Sequence, residues 1–475
     1  MSKGRDGGLW APERRALTAG LVLTITFVAS EALAVVTVMP VAARDLGGVR
    51  LYGWVFSGFM LGSVIGIVLA GREADRRGPA LPFVAALVFF GAGLAIAGLA
   101  PTMGVLVAGR VLQGIGAGAI PSVGYAAIGR YLPGSLRARM MAVLSTAWVV
   151  PGLAGPAVAA EVARAFGWRW VFLGLLPVVA VAGSIAVPAL VRLGPPETID
   201  TESQPRLIDA LRTAAGAALL LAGLTLAAGS GEVLAGCALI AGGAVAGLPA
   251  LRRLVPPGTL TARAGLPAVI LARGLLTFTF FGADAYVTLA VTSIRHHSPV
   301  YAGIAVTGAT LTWTAGAWVQ ARLNETWTGR RLIRVGVVIV LAGIGGMVAA
   351  LQPAVPAWSA LAAWTVAGFG MGLAYAPTSL MMLRKAAPGQ EGRVSASLNL
   401  ADVLGTAIGI GVGGAAVAAT ADSDLRLGVT VAFAITALAG VALLAVTRRL
   451  PAGTGAAPPP AAEPVRAPAP GGASP

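Results

Sequence analysis

Apolar residues run in long blocks along this chain, and polar residues gather in the short gaps between them. Fourteen blocks fall near residues 18–41, 52–70, 81–100, 104–125, 139–162, 171–191, 211–229, 232–250, 266–292, 300–321, 332–351, 355–381, 395–418 and 427–447. Each holds about twenty residues, enough for a helix to cross a hydrocarbon layer of roughly 30 Å. Backbone groups find no water in lipid, so only helices or closed barrels can span it. Barrel strands alternate over about ten residues. These blocks are continuous and rich in Leu, Ala, Val and Gly. They predict an all-α membrane protein with fourteen transmembrane helices.

Composition sharpens this picture. Of 475 residues, 57% are apolar and 11% charged, too few charges for a soluble surface of that length. The net charge of +15 would suit a nucleic-acid partner, but its distribution follows the membrane. With the N-terminus in the cytoplasm, 26 basic residues fall in inside segments and 6 outside, with Arg110 and Arg273 within spans. Positive residues favour the inside, so both termini are expected in the cytoplasm of a multi-pass cell-membrane protein. A nucleic-acid partner is excluded on that basis. Lys3, Arg5, Arg14 and Arg15 precede the first block as in a signal peptide. The block is too long for one and contains Glu31, so it reads as an uncleaved first span. A single cysteine, Cys237, and two adjacent histidines, His296 and His297, offer no disulfide and no metal site.

The organisation expected is a cytoplasmic segment over 1–17, a six-helix bundle over 18–192, a cytoplasmic linker over 193–210, two inserted helices over 211–250, a second six-helix bundle over 266–447, and a disordered cytoplasmic tail over 451–475. The tail is mostly Pro, Ala and Gly, with almost no large apolar residue, and cannot bury a core. An internal repeat supports two halves. Arg110-Val-Leu-Gln-Gly-Ile-Gly-Ala-Gly118 aligns with Trp364-Thr-Val-Ala-Gly-Phe-Gly-Met-Gly372, at an offset of 364 − 110 = 254. The same offset pairs Arg130 with Arg384, Arg139 with Arg393 and Gly155 with Gly409. Parallel halves of this kind build one large class of secondary transporter.

Five motifs carry a family resemblance. Gly71-Arg-Glu-Ala-Asp-Arg-Arg-Gly78 joins blocks two and three, and Gly71, Asp75, Arg76, Arg77 and Gly78 resemble the cytoplasmic signature loop of the major facilitator superfamily. Its glycines would permit a tight turn, and its arginines could pair with Asp75 or lipid phosphates. The usual basic pair after the loop is replaced by Pro79 and Ala80. Arg110, Gln113, Gly114 and Gly116 look like the family's fourth-helix motif. Pro151, Gly152, Gly155 and Pro156 resemble its antiporter motif, with Pro151 where Gly is usual and alanines at 159 and 160. Glu31, nine residues before Pro40, and Phe166-Gly-Trp-Arg-Trp-Val-Phe172 resemble the fourteen-span drug:proton antiporters. The resemblance implies two six-helix bundles plus two inserted helices, export of small molecules, a proton gradient as the energy source and no cofactor. A monomer working with protons, a small-molecule substrate and membrane lipids is expected.

Ionisable residues at membrane depth are the candidate chemistry. At about 1.5 Å per residue, Glu31 lies roughly 15 Å from the outer end of its span and Arg110 roughly 9 Å from the same face. Their side chains can therefore meet. Asp284 lies about 12 Å from the outer end and is nearly the repeat mate of Glu31; Asp402 lies about 10 Å from the inner end and is the mate of Trp148. A carboxyl that meets an arginine in only one conformation would take up a proton in one state and release it in the other. Glu31 is the expected carrier, Arg110 its modulator and Asp284 a second coupling residue, or these acids bind a cationic substrate directly. Gln113, Trp148, Tyr286, Asn399 and Asp402 are the expected cavity residues. A non-transporting receptor, a membrane enzyme, and a metabolite or lipid transporter are the competing readings. No catalytic constellation favours the enzyme.

Overall fold

The computed structural model describes residues 8–132, 136, 139–140, 143–144, 147, 149–194, 204–229, 232–324, 326–385 and 391–452. Its helices are α1 Arg15–Asp45, α2 Tyr52–Arg77, α3 Ala80–Gly98, α4 Met103–Tyr131 and α5 Val149–Phe166. They continue with α6 Arg169–Val191, interrupted at Gly174, α7 Gln204–Gly229, α8 Val233–Leu254 and α9 Leu266–Leu289, which runs on into a π-helical turn at Ala290–Ile294. The last are α10 Pro299–Leu323, α11 Gly329–Ala350, α12 Trp358–Lys385, α13 Glu391–Thr420 and α14 Leu425–Val446. Among the described residues, twelve of these helices contain a stretch long and apolar enough to cross a membrane; α5 and α10 complete the expected fourteen. α10 is interrupted by Thr and Gly and packs against α12 and α5.

Local signals set the helix starts. Thr102, Ser298, Thr328 and Asp424 accept a hydrogen bond from the backbone N–H three residues on, capping α4, α10, α11 and α14. Several helices overrun the apolar blocks. α2 ends at Arg77 and α4 at Tyr131, and α7 begins at Gln204, inside the expected linker. Hydropathy marks only the part within lipid; a helix continues until its backbone is stopped. The stop after α2 is Gly78, at φ 84°. Gly71 sits within α2 with open space around it, so the turn rests on Gly78 alone.

Two six-helix bundles face each other. In the first, α4 packs against α2 and α3, and α1 against α5 and α6. In the second, α12 packs against α10 and α11, and α9 against α13 and α14. The glycines of the repeat produce this likeness. Gly114 and Gly118 lie against the α2 backbone at Phe59 and Ser63, and Gly116 lies against α3 at Ala86. Their mates Gly368 and Gly372 lie against α10 at Ala309 and Trp313, and Gly370 lies against α11 at Gly336. A Cβ at any of these would collide with backbone, so the glycines fix the helix spacing.

The halves meet through α2 against α13 and α5 against α10. Cross-half contacts gather at the end opposite Arg15 and Val446, called here the far end. Arg50 pairs with Asp422, Tyr52 OH lies 3.3 Å from Thr288 Oγ1, and Thr288 donates to the Val36 carbonyl at 2.8 Å. Ser57 donates to the Ala407 carbonyl at 2.9 Å, and a Cβ on Gly53 would lie 2.7 Å from Gly414 Cα. The far end is closed. The α7–α8 hairpin stands beside this seam, with α7 against both α2 and α13. Trp54 Nε1 donates to Thr225 Oγ1 at 3.2 Å, and Leu221 packs against Gly411.

Candidate functional site

Glu31 lies midway along α1 and Arg110 two turns into α4, and the structure brings them into a buried ion pair. Their side chains are 0% and 3% exposed, so neither charge is shared with solvent. Arg110 also donates to Gln113 Oε1 at 2.6 Å and, through Nε, to the Val55 carbonyl at 3.3 Å. Its guanidinium carbon stands 4.1 Å from the centre of the Phe59 ring. The arginine is thus held on three sides. Glu31 Oε2 and Gln113 Nε2 are buried without a protein hydrogen-bond partner. A buried charge pair is costly unless such groups are satisfied, and an open oxygen beside the pair can receive a proton. Gln113 belongs to this ion-pair cluster and is fully buried, so it is not an open cavity wall in this conformation.

Asp284 occupies the corresponding place in the second half. Its partner is Trp364, whose Nε1 donates to Oδ1 at 2.7 Å. Trp364 is the repeat mate of Arg110, so the same geometry recurs with an indole in place of the guanidinium. Phe280 stacks on Trp364 at 5.2 Å between ring centres and meets Trp313 edge-on at 5.5 Å. Sequence reasoning missed Trp364; its alignment with Arg110 was the available signal.

A second charged cluster sits nearer the termini. Arg273 Nη1 lies 3.9 Å from Asp402 Oδ1, Tyr375 donates to Asp402 Oδ2 at 2.9 Å, and Arg273 donates to Ser379. The Arg273 guanidinium carbon is 3.6 Å from the centre of the Tyr375 ring. Asp402 is 24% exposed, while Arg273 is 3% exposed. Asn399 is exposed about one turn before it on α13. Arg273 was seen in the sequence only as an unassigned intramembrane charge.

Tyr286 departs from its expected place. It is fully buried in the far-end seam, donates to the Ile410 carbonyl and packs against the Tyr52 ring, 5.8 Å between centres. It seals the seam and does not line a cavity here. Its position on α9 was legible; the helix rotation that turns it into the seam was not. Trp148 lies outside the described residues, as does the side chain of Asp75. Arg76 and Arg77 lie 3.8 and 3.2 Å from Glu73, an acid the loop motif did not assign. In α5, Gly152 and Pro156 face Thr310 and Gly303 of α10, so these small residues build the second seam. Pro151 and Gly155 line an apolar cavity of about 750 Å³ between α1, α5 and α6.

Comparison with known proteins agrees with this architecture. A sequence profile described as the Major Facilitator Superfamily matches residues 19–410. A probable multidrug-efflux transporter of Mycobacterium tuberculosis (strain ATCC 25618 / H37Rv) is 27% identical over 428 residues, covering 86% of this chain and 88% of the relative. A multidrug resistance protein B homolog of the same strain is 26% identical over 401 residues, covering 79% and 71%. The crystal structure of an auto-inhibited POT family peptide transporter superposes with a TM-score of 0.65 at 18% identity, covering 93% of this chain and 99% of that one. That last likeness concerns the fold.

Proposed function

The chain belongs to the Major Facilitator Superfamily, and we propose that it is a proton-coupled transporter exporting small amphipathic or drug-like molecules across the cytoplasmic membrane by alternating access. It is a multi-pass membrane transporter and not an enzyme. The observation that carries the proton-coupled reading is the sealed Glu31–Arg110 pair at mid-membrane.

The positive-residue count puts the termini in the cytoplasm and the closed far end outside. Glu31 and Arg110 both belong to the first half, so rocking of rigid halves does not part them as the sequence suggested. Access changes instead. With the far seam closed, the pair is cut off from outside water. Parting α2 from α13 opens a route from outside to Glu31 Oε2. A proton arriving there neutralises the carboxylate and frees Arg110 from its anionic partner. Closure of the far seam with opening at the terminal end turns the pair toward cytoplasmic water, which accepts the proton as Arg110 pairs again with the Glu31 carboxylate. Net inward proton movement then accompanies outward substrate movement.

Export of drug-like molecules is supported by the relatives named as efflux proteins and by the antiporter motif in the α5–α10 seam. One observation favours a lipid substrate instead. The α1–α5–α6 cavity is lined by Leu23, Phe27, Ala154, Val158 and Val178, with Thr26, Ser30 and the Trp170 indole as its polar side chains. Both hydroxyls are already bonded to carbonyls of their own helix. Everted membrane vesicles given a panel of dyes, antibiotics and fluorescent lipids separate the readings. Accumulation of dyes or antibiotics that collapses with a protonophore is expected. Gradient-independent accumulation, or accumulation of lipids alone, contradicts the proposal.

A further inference from the structure

The α7–α8 hairpin belongs to neither six-helix bundle, and the proton route through Glu31 does not use it. Its two helices interlock along glycines. A Cβ on Gly216 would lie 2.5 Å from Gly247 Cα, and one on Gly223 would lie 2.5 Å from the Gly236 carbonyl oxygen. Arg253 donates to Asp209 Oδ1 across the same pair at 3.4 Å. Backbones this close leave little room to slide, so the hairpin moves as one piece. Its attachments to the two halves differ. Leu221 fills the space that a side chain at Gly411 of α13 would take. Ser397 of α13 donates to the Leu254 carbonyl at the end of α8, at 2.9 Å. The segment joining α8 to α9 is tied to the end of α14: Arg449 donates to the Thr261 and Ala262 carbonyls at 2.7 and 3.2 Å, and the Gly265 N–H donates to the Arg449 carbonyl at 3.2 Å.

Toward the first half, among the described residues, the hydrogen bond is the one from Trp54 Nε1 to Thr225 Oγ1. Thr225 also donates to the Leu221 carbonyl of its own helix at 2.8 Å, so its hydroxyl keeps a partner when Trp54 leaves. Packing is open around this contact. A cavity of about 800 Å³ lies between the α1–α2 corner, α7 and the end of α13, and reaches Arg44, Trp54, Thr225 and Asp422. The hairpin is thus fastened to the second half and lightly held by the first. Its position matters too. Leu61 and Val64 of α2, Leu404 and Ala407 of α13, and Ala217 and Leu221 of α7 share one buried apolar cluster, so α7 lies over the line where the halves meet. α8 turns the apolar side chains of Leu234, Val245 and Leu248 outward. When the seam parts, Ser57 and the Ala407 carbonyl lose each other. Water can satisfy them, but acyl chains cannot.

We propose that the α7–α8 hairpin is a shutter carried by the second half. It stays fixed on α13 through the transport cycle and lets go of the first half at Trp54–Thr225 when the far end opens. Standing on the lipid side of the α2–α13 seam, it keeps acyl chains out, so that water fills the opening. This rests on alternating access and gives the inserted helices a role that proton coupling at Glu31 does not require.

The test tethers the hairpin to each half in turn, from positions one turn apart on α7. In a full-length Cys237→Ser background, Trp54→Cys with Thr225→Cys spans the contact with the first half, and Leu221→Cys with Gly411→Cys spans the contact with the second. Each pair is bridged by a short bis-methanethiosulfonate reagent and released by reductant. The readout is exchange of ethidium and of chloramphenicol across proteoliposomes with no gradient, which needs only the movement of the halves. The 54–225 bridge should abolish exchange, and reduction should restore it. The 221–411 bridge should leave exchange as it is in the unbridged protein. Leu61→Cys with Ala217→Cys, and Leu254→Cys with Ser397→Cys, repeat the two tethers should either first pair not remain monodisperse, and the same contrast is expected. Exchange that survives the tether to the first half overturns the proposal, as does exchange lost on tethering to the second. Absence of exchange in the unbridged protein would overturn alternating access and the shutter with it. Failure of pH-driven uphill transport, with the contrast between tethers preserved, would sink the coupling account and leave the shutter standing.

Discussion

Among single residues, the informative contrast is the partner given to each acid at membrane depth. Glu31 and Arg110 were legible in the sequence because both are ionisable and their depths can be counted along their helices. Trp364 was not, since an indole carries no charge to draw attention, and only its repeat position aligned it with Arg110. Tyr286 shows the other limit: counting gives depth but not the rotation that turns a ring into a seam. The Glu31–Arg110 pair also makes a stability prediction. Arg110→Met leaves a carboxylate buried without its partner, which costs about 3–5 kcal/mol when a buried pair is broken. A marked drop in the thermal unfolding midpoint of the purified protein is expected. Glu31→Gln combined with Arg110→Met should recover much of that drop, because no buried charge then remains. A double variant no more stable than Arg110→Met would show that the arginine acts through packing on Phe59.

At the scale of helices, the apolar blocks gave the number and order of spans, and the repeat gave their pairing. Helix ends were less visible because α2 and α4 carry their helical backbone past the lipid boundary on charged and polar residues. The loop motif shows why: Gly71 looks like a turn glycine but lies inside a helix. Its two glycines should respond in opposite ways. Gly71→Ala has open space and removes a helix-interior glycine, so it should stabilise by about 0.5–1 kcal/mol. Gly78→Ala must hold a Cβ at φ 84° and should destabilise by roughly 1–2 kcal/mol. Thermal unfolding of the two variants, with their order compared, checks this. Gly114→Ala and its mate Gly368→Ala should both lower the yield of monodisperse protein, since each drives a methyl group into backbone of the neighbouring helix. If one of the pair is tolerated, the halves are less alike than the glycine contacts indicate.

For the molecule as a whole, the arrangement amounts to two bundles joined along a closed far seam, with a charge pair sealed beneath it. Transport requires that seam to part. In a Cys237→Ser background, Arg50→Cys and Asp422→Cys replace an exposed cross-seam ion pair with thiols. Cross-linking them should arrest transport, and reduction should restore it; full transport by the cross-linked protein would mean the seam does not move. The central claim is that Glu31 carries the proton, and proteoliposomes test it most directly. Substrate exchange across the membrane without a gradient needs only the rocking of the halves, whereas uphill transport driven by a pH gradient needs a carrier. Glu31→Gln should keep exchange and lose uphill transport together with substrate-triggered proton flux. Uphill transport and proton flux at the wild-type level in that variant would contradict the account.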